Sequence, residues 1–172
     1  MDKVKKVGIS LTVSFFIVTL SAPVHAQQVC VAEIAETSPS SDFTVHNDGT
    51  VTHNRTGLMW QVCSQGQIWI SDGSCSGAAT VNNWQQALQL PPDLNTVGGF
   101  AGYSDWHLPN IKELASLIEL KCHNPVINLA IFPASPSESF WSSSPMADDV
   151  FINFAWGVEF IEGDVSEFTR DN

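Results

Sequence analysis

From Phe43 onward, polar and apolar positions alternate in short bursts with the period of half-buried strands. Phe43-Thr44-Val45-His46 and Thr50-Val51-Thr52-His53 flank Asn47-Asp48-Gly49, whose residues tolerate positive φ, so the pattern predicts a β-hairpin. Thr56-Gly57 turns the chain again, and Leu58, Trp60 and Val62 alternate with Met59 and Gln61 in a third strand. Further on, Ile68-Trp69-Ile70 runs into Ser71-Asp72-Gly73-Ser74, a composition that suits a surface hairpin. Phe140-Trp141-Ser142-Ser143 reads as a brief strand. The longest alternation sets Ile152, Phe154, Trp156, Val158 and Phe160 against Asn153, Ala155, Gly157 and Glu159, a half-buried strand that Glu162-Gly163 turns into Asp164-Val165-Ser166-Glu167-Phe168.

Helical spacing appears twice. Asn82 or Asn83 can cap a short helix of about two turns, with Trp84, Ala87 and Leu88 on one face and Pro91-Pro92 as its stop. Asn110, with Glu113 three residues on, forms a capping box, after which Ile111, Leu114, Ala115, Leu117 and Ile118 share a face. The spacing predicts a helix whose last turn carries Lys121, with Cys122 at its end. Between them, Gly98-Gly99-Phe100-Ala101-Gly102 reads as a loop, and Pro125, Pro133 and Pro136 break up another. Two helices beside mostly antiparallel strands give an α+β fold class with long loops.

The N-terminus follows another logic. Lys3, Lys5 and Lys6 precede an apolar run from Val7 to Leu20, then Pro23 and the small-residue site Val24-His25-Ala26. That run is shorter than the roughly 20 residues a membrane span needs, so residues 1–26 read as a cleavable secretion signal. No transmembrane segment is expected after its removal. Residues 27–41 end in Thr37-Ser38-Pro39-Ser40-Ser41 and read as an irregular leader held mainly by Cys30, with one folded domain over 42–172.

Cleavage takes three of the seven Lys+Arg and one of the eighteen Asp+Glu, so the net charge moves from −11 to −13. Arg55, Lys112, Lys121 and Arg170 are then the only fixed cations, too few for a phosphate-binding footprint, which excludes nucleic acid as a partner. Sulfated polysaccharides are disfavoured by the same field. All four cysteines survive cleavage, and in an exported chain they read as two disulfides with three possible connectivities. Cys63 and Cys75 bracket a short polar segment and are paired on that ground. Cys30 and Cys122 pair by default.

Several motifs in order, Asn47-Asp48-Gly49-Thr50-Val51-Thr52, Thr56-Gly57-Leu58-Met59-Trp60, the stretch from Gly102 through Trp106-His107-Leu108-Pro109-Asn110 to Leu114, and Phe140-Trp141-Ser142-Ser143, resemble the Lcl C-terminal domain family. The resemblance runs from about residue 42 to the end. It implies an exported bacterial protein, periplasmic, at the cell surface or secreted, and, through the adhesin for which the family is named, a role in adhesion. Trp106 to Glu113 also looks like the helix start of formylglycine-generating-enzyme-like domains, which implies a C-type-lectin-like fold. His107 stands where that pattern has Arg, which removes a permanently charged bidentate donor. The family pattern also continues into one more basic-apolar strand beyond Glu167-Phe168, so the expectation is a domain lacking its last strand or completed by a partner's.

Candidate chemistry is sparse. His46, His53, His107 and His123 are scattered, without a nucleophile elbow or a zinc-protease helix, and read as surface or hydrogen-bonding residues. Cys122 and His123 are adjacent and do not face each other as a thiol-base pair. Asp148, Asp149, Glu162 and Asp164 are hard oxygen donors and candidate calcium ligands, although no EF-hand spacing accompanies them. Of the six tryptophans, Trp60, Trp84, Trp106 and Trp156 fall at core-phase positions. Trp69, with Gln67 and Asp72 beside it, reads as an exposed recognition platform. The expectation is a non-catalytic recognition or adhesion module for a glycan or protein ligand, with oligomerisation open. The alternatives are a formylglycine-generating-enzyme-like oxidase, which needs free thiols, and a structural partner domain.

Overall fold

Asp48 makes the first turn: its Oδ1 accepts from the Thr50 amide at 3.0 Å and from Thr50 Oγ1 at 2.7 Å, while Gly49 takes φ +87°. In the computed structural model, which describes residues 27–147 and 152–171, this turn joins β2 (Phe43–Val45) to β3 (Thr50–His53), and β4 (Leu58–Gln61) completes an antiparallel meander. The expected strands therefore form in the expected order. The secretion signal expected at 1–26 lies outside the described residues, as do Asp148 and Asp149.

Ahead of the meander, β1 (Val29–Cys30) pairs with β7 (Cys122–His123), and a 3-10 turn at Ser40–Asp42 leads into β2. The leader is tied down far more fully than by Cys30 alone. Gln28 Nε2 donates to the carbonyls of Pro125 and Ile127, Asn128 Nδ2 donates to Ser38 O, and the Thr37 and Ser38 amides donate to the Glu119 carboxylate. A polar segment with little to bury is ordered here by hydrogen bonds to its backbone, which composition does not reveal.

The disulfides Cys63–Cys75 and Cys30–Cys122 both form. The first clips a small hairpin of β5 (Ile68–Trp69) and β6 (Cys75–Ser76). Three longer strands, β8 (Ser139–Pro145), β9 (Phe154–Glu159) and β10 (Asp164–Thr169), make an antiparallel sheet with β9 in the middle. On β9, Ala155 and Val158 are of opposite parity and both are fully buried, so this strand is covered on both faces and not half-buried as its alternation suggests. Gly157 makes that closeness possible, because a Cβ there would meet the Phe140 carbonyl and the Phe168 ring within 3 Å.

Both helices depart from expectation in length. Helix α1 (Trp84–Thr96) starts as read, with Asn83 Oδ1 accepting from Gln86 N in a capping box, but it continues through Pro91 and Pro92. Each proline removes one intrahelical donor, a cost that is offset where the last turn is anchored. There Asn95 grips the Trp106 backbone twice, Nδ2 donating to its carbonyl at 2.8 Å and Oδ1 accepting from its amide at 3.1 Å. Helix α2 (Ile111–Ala115) has the predicted Asn110–Glu113 capping box yet is only five residues long. The Leu117 and Ile118 amides reach back three residues, and the Glu119 amide pairs with Val126 O. Lys121 and Cys122 therefore lie outside the helix, in and beside the β1–β7 pair.

These elements make an α+β fold of several antiparallel sheets with two helices. Its core joins Val51, Leu114, Leu117, Val158 and Phe160 from the meander, the α2 region and the large sheet. No described helix is long and apolar enough to cross a membrane.

Candidate functional site

Trp106 organises one wall of a large cleft. Ala101 and Gly102 take φ +54° and +82°, a type I′ turn that pairs Phe100 with Tyr103 through reciprocal backbone bonds. The Trp106 indole N–H donates to both exposed carbonyls of this turn, Phe100 at 3.2 Å and Tyr103 at 3.1 Å, and its ring meets both aromatic rings edge-on. With Asn95 holding its backbone, the segment from Tyr103 to Pro109 is fixed as a wall standing off the core.

Between that wall, β4 and the inner face of α1 lies a cleft of about 570 Å³, within the size range of small-molecule sites. Met59 and Trp60 come from β4, and Ala87, Leu90 and Leu94 from α1, at the i, i+3 and i+7 spacing that puts residues on one helical face. Trp141 and Phe140 close the floor. Trp141 is held by its own indole, which donates to Asn82 O at 2.8 Å, and Trp84 likewise donates to Ser142 O, so α1 and β8 are clipped together beneath the cleft. The Trp60 indole N–H is buried and has no hydrogen-bond partner.

Gln61, Ser64, Gln65 and Ser135 are neutral polar residues of the lining, and its fixed charges are acidic. Asp105, His107 and Glu113 lie along the wall, His107 Nε2 is 3.3 Å from Glu113 Oε2, and that oxygen also accepts from the Asn110 amide. Among the described residues, no Lys or Arg lines the cleft. Glu113 thus caps α2 and contributes a carboxylate to the lining at once.

The predicted recognition loop is arranged differently from expectation. Trp69 is half-buried and packed against the core, its ring beneath Gly49, so it is no exposed platform. Gln67 Oε1 accepts from the Ser64 amide while its Nε2 donates to Ala134 O, and Asp72 Oδ1 accepts from both the amide and the hydroxyl of Ser74. The Ser74 hydroxyl and then its amide hold the Asp72 carboxyl below its ordinary pKa. All three side chains shape the hairpin, which instead presents Ile68 and Ile70 to solvent.

Of the candidate calcium ligands, Glu162 lies in the β9–β10 turn and Asp164 opens β10. Among the described residues, no group of three or more acidic, His or Cys side chains is arranged to hold a metal ion. His46 shares a hydrogen bond with Thr52 Oγ1, and His53 is buried, stacked on Phe43 at 4.7 Å with Nδ1 bonded to Thr56 Oγ1. All four cysteines are in disulfides.

Alternation and capping do not find the cleft, because it is made by segments distant in sequence. The signal that does touch it is the motif series, whose stretch from Gly102 to Leu114 supplies the standing wall and the start of α2. In comparisons with known proteins, the Lcl C-terminal domain matches this chain over residues 49–172. No curated protein and no solved structure matches it, so the lectin-like grouping stays an implication of sequence resemblance.

Proposed function

Since this chain belongs to the Lcl C-terminal domain family, we propose that it is an exported recognition domain with no catalytic step of its own, receiving its ligand in the cleft between α1, β4 and the Tyr103–Pro109 wall. Family membership and two disulfides mark a domain of a secreted or surface protein, where oxidising conditions keep such bonds intact. Adhesion suits that setting. The observation that carries the reading is the cleft itself: preformed, open and lined by aromatic and aliphatic side chains fixed from behind by indole hydrogen bonds. Rigid aromatic walls lose little side-chain freedom on binding, the economy that recognition sites use. An oxidase reading would need free thiols, and the four cysteines are engaged with one another. Aromatic and aliphatic side chains make most of the walls, and Gln61, Ser64, Gln65, Asp105, His107, Glu113 and Ser135 add polar groups, so the site offers a glycan or protein partner both apolar surface and hydrogen bonds.

A polarity-sensitive neutral dye, N-phenyl-1-naphthylamine, tests this on the purified protein. Dye fluorescence is expected to rise on the native protein. Leu90→Trp, which fills the cleft from α1, is expected to weaken uptake roughly tenfold, about 1.4 kcal/mol. Equal uptake by the variant, with unchanged circular dichroism, places the dye elsewhere and refutes the cleft as the binding site.

A further inference from the structure

We propose that the cleft selects an apolar cation, a small ligand with an aromatic or alicyclic body and an ammonium or guanidinium head; this rests on the cleft being the recognition site. The body follows from the walls. Trp60, Trp106, Trp141 and Phe140 present ring surface, while Met59 and Leu90 fill between them, which suits an aromatic or alicyclic body. The space of about 570 Å³ accommodates a bicyclic body with a short side chain.

The head group follows from charge. Asp105 and Glu113 are the fixed charges of the lining. His107 stands 3.3 Å from Glu113, and the fixed cations are engaged or placed elsewhere: Arg55 pairs with Asp42 at 3.3 Å, Lys121 with Glu36 at 3.0 Å, and Arg170 lies 4.4 Å over the Trp84 ring. Lys112 is exposed on α2 and is not a lining residue. A cation among these walls meets carboxylates together with the rings of Tyr103 and Trp106, whose π faces attract positive charge. Over longer range, the net charge of −11 concentrates cations at the surface and repels anionic amphiphiles of the same shape.

Three probes that share one naphthalene body separate the two parts of the argument: naphthalene-2-methylamine, naphthalene-2-methanol and naphthalene-2-carboxylate, titrated against the full purified protein by calorimetry. The amine is expected to bind about fivefold more tightly than the alcohol, the combined worth of a partly exposed ion pair and a cation–π contact, with the carboxylate weakest. Asp105→Asn with Glu113→Gln is expected to erase the difference between amine and alcohol, with the two titrated side by side on the variant. Glutamine preserves the capping box, so α2 is not lost with the charge. If that double variant does not fold, raising salt on the native protein gives the same readout, since screening must narrow the gap between amine and alcohol. An alcohol that binds as tightly as the amine overturns the cation inference and leaves the cleft reading standing. No probe bound, or all three bound equally well by Leu90→Trp, overturns both.

Discussion

Glu119 shows how one residue can order a segment that composition would leave loose. The residue is 3% exposed, and burial alone would raise its pKa. The amides of Lys121, Ser38 and Thr37 outweigh that penalty and hold it below the ordinary value of 4.5. A folded-state pKa below the unfolded one means that the unfolded chain takes up the proton first. Stability from Glu119 is therefore present above pH 4.5 and is lost as pH falls through the lowered value. His53 behaves alike for another reason. Burial lowers its pKa from 6.5, with Asp42 opposing and Arg55 assisting, so its contribution is full above pH 6.5 and is lost as pH falls through its own lowered value. Unfolding free energy is thus expected to decline in two arms on acidification. Glu119→Gln is expected to cost about 2 kcal/mol near neutrality and to flatten the lower arm. His53→Phe, which keeps the stack on Phe43, is expected to flatten the upper one. Denaturant titrations across pH check both, and two variants with the native pH profile would contradict the assignment.

At the scale of elements, the sequence is legible where a signal is local. The Asn47-Asp48-Gly49 turn, the Asn110–Glu113 box and the existence of the strands all depend on residues within a few positions, and those features form as read, although β9 is covered on both faces where its alternation predicts one. Length is where reading fails. Helix α1 passes Pro92 because Asn95 is anchored to Trp106, and α2 stops at Ala115 because Glu119 is drawn into pairing with Val126, both of them tertiary contacts. Trp69 invites a surface reading because nothing near it in sequence shows the Gly49 turn against which it lies. The disulfides brace different spans, with separations of 12 and 92 residues. In the loop-entropy account the short one contributes about 3 kcal/mol and the long one about 4.5. Paired Cys→Ala variants are therefore expected to lower the unfolding free energy by unequal amounts, with Cys30/Cys122 the costlier pair. The reverse order would show that the leader's hydrogen bonds, not chain closure, dominate at that end.

For the whole molecule, the acidic surface and the apolar cleft act together. On the proposed reading, the field gathers cations over a distance and the cleft sorts them by shape at contact; the cleft is lined jointly by α1, β4, α2 and the Tyr103–Pro109 wall. Sequence alone places a recognition surface on the Cys63–Cys75 hairpin, whereas the geometry favours the cleft. The six indole N–H groups divide along this line: Trp60, Trp106 and Trp141 line the cleft, and Trp69, Trp84 and Trp156 do not. The most direct test is a proton–nitrogen correlation spectrum of the labelled protein titrated with naphthalene-2-methylamine, with the indole signals assigned by single Trp→Phe variants. The cleft reading predicts saturable shifts of the Trp106 and Trp141 signals while those of Trp69 and Trp156 stay in place; a Trp69 signal that moves while the cleft indoles do not would return recognition to the hairpin and contradict the account.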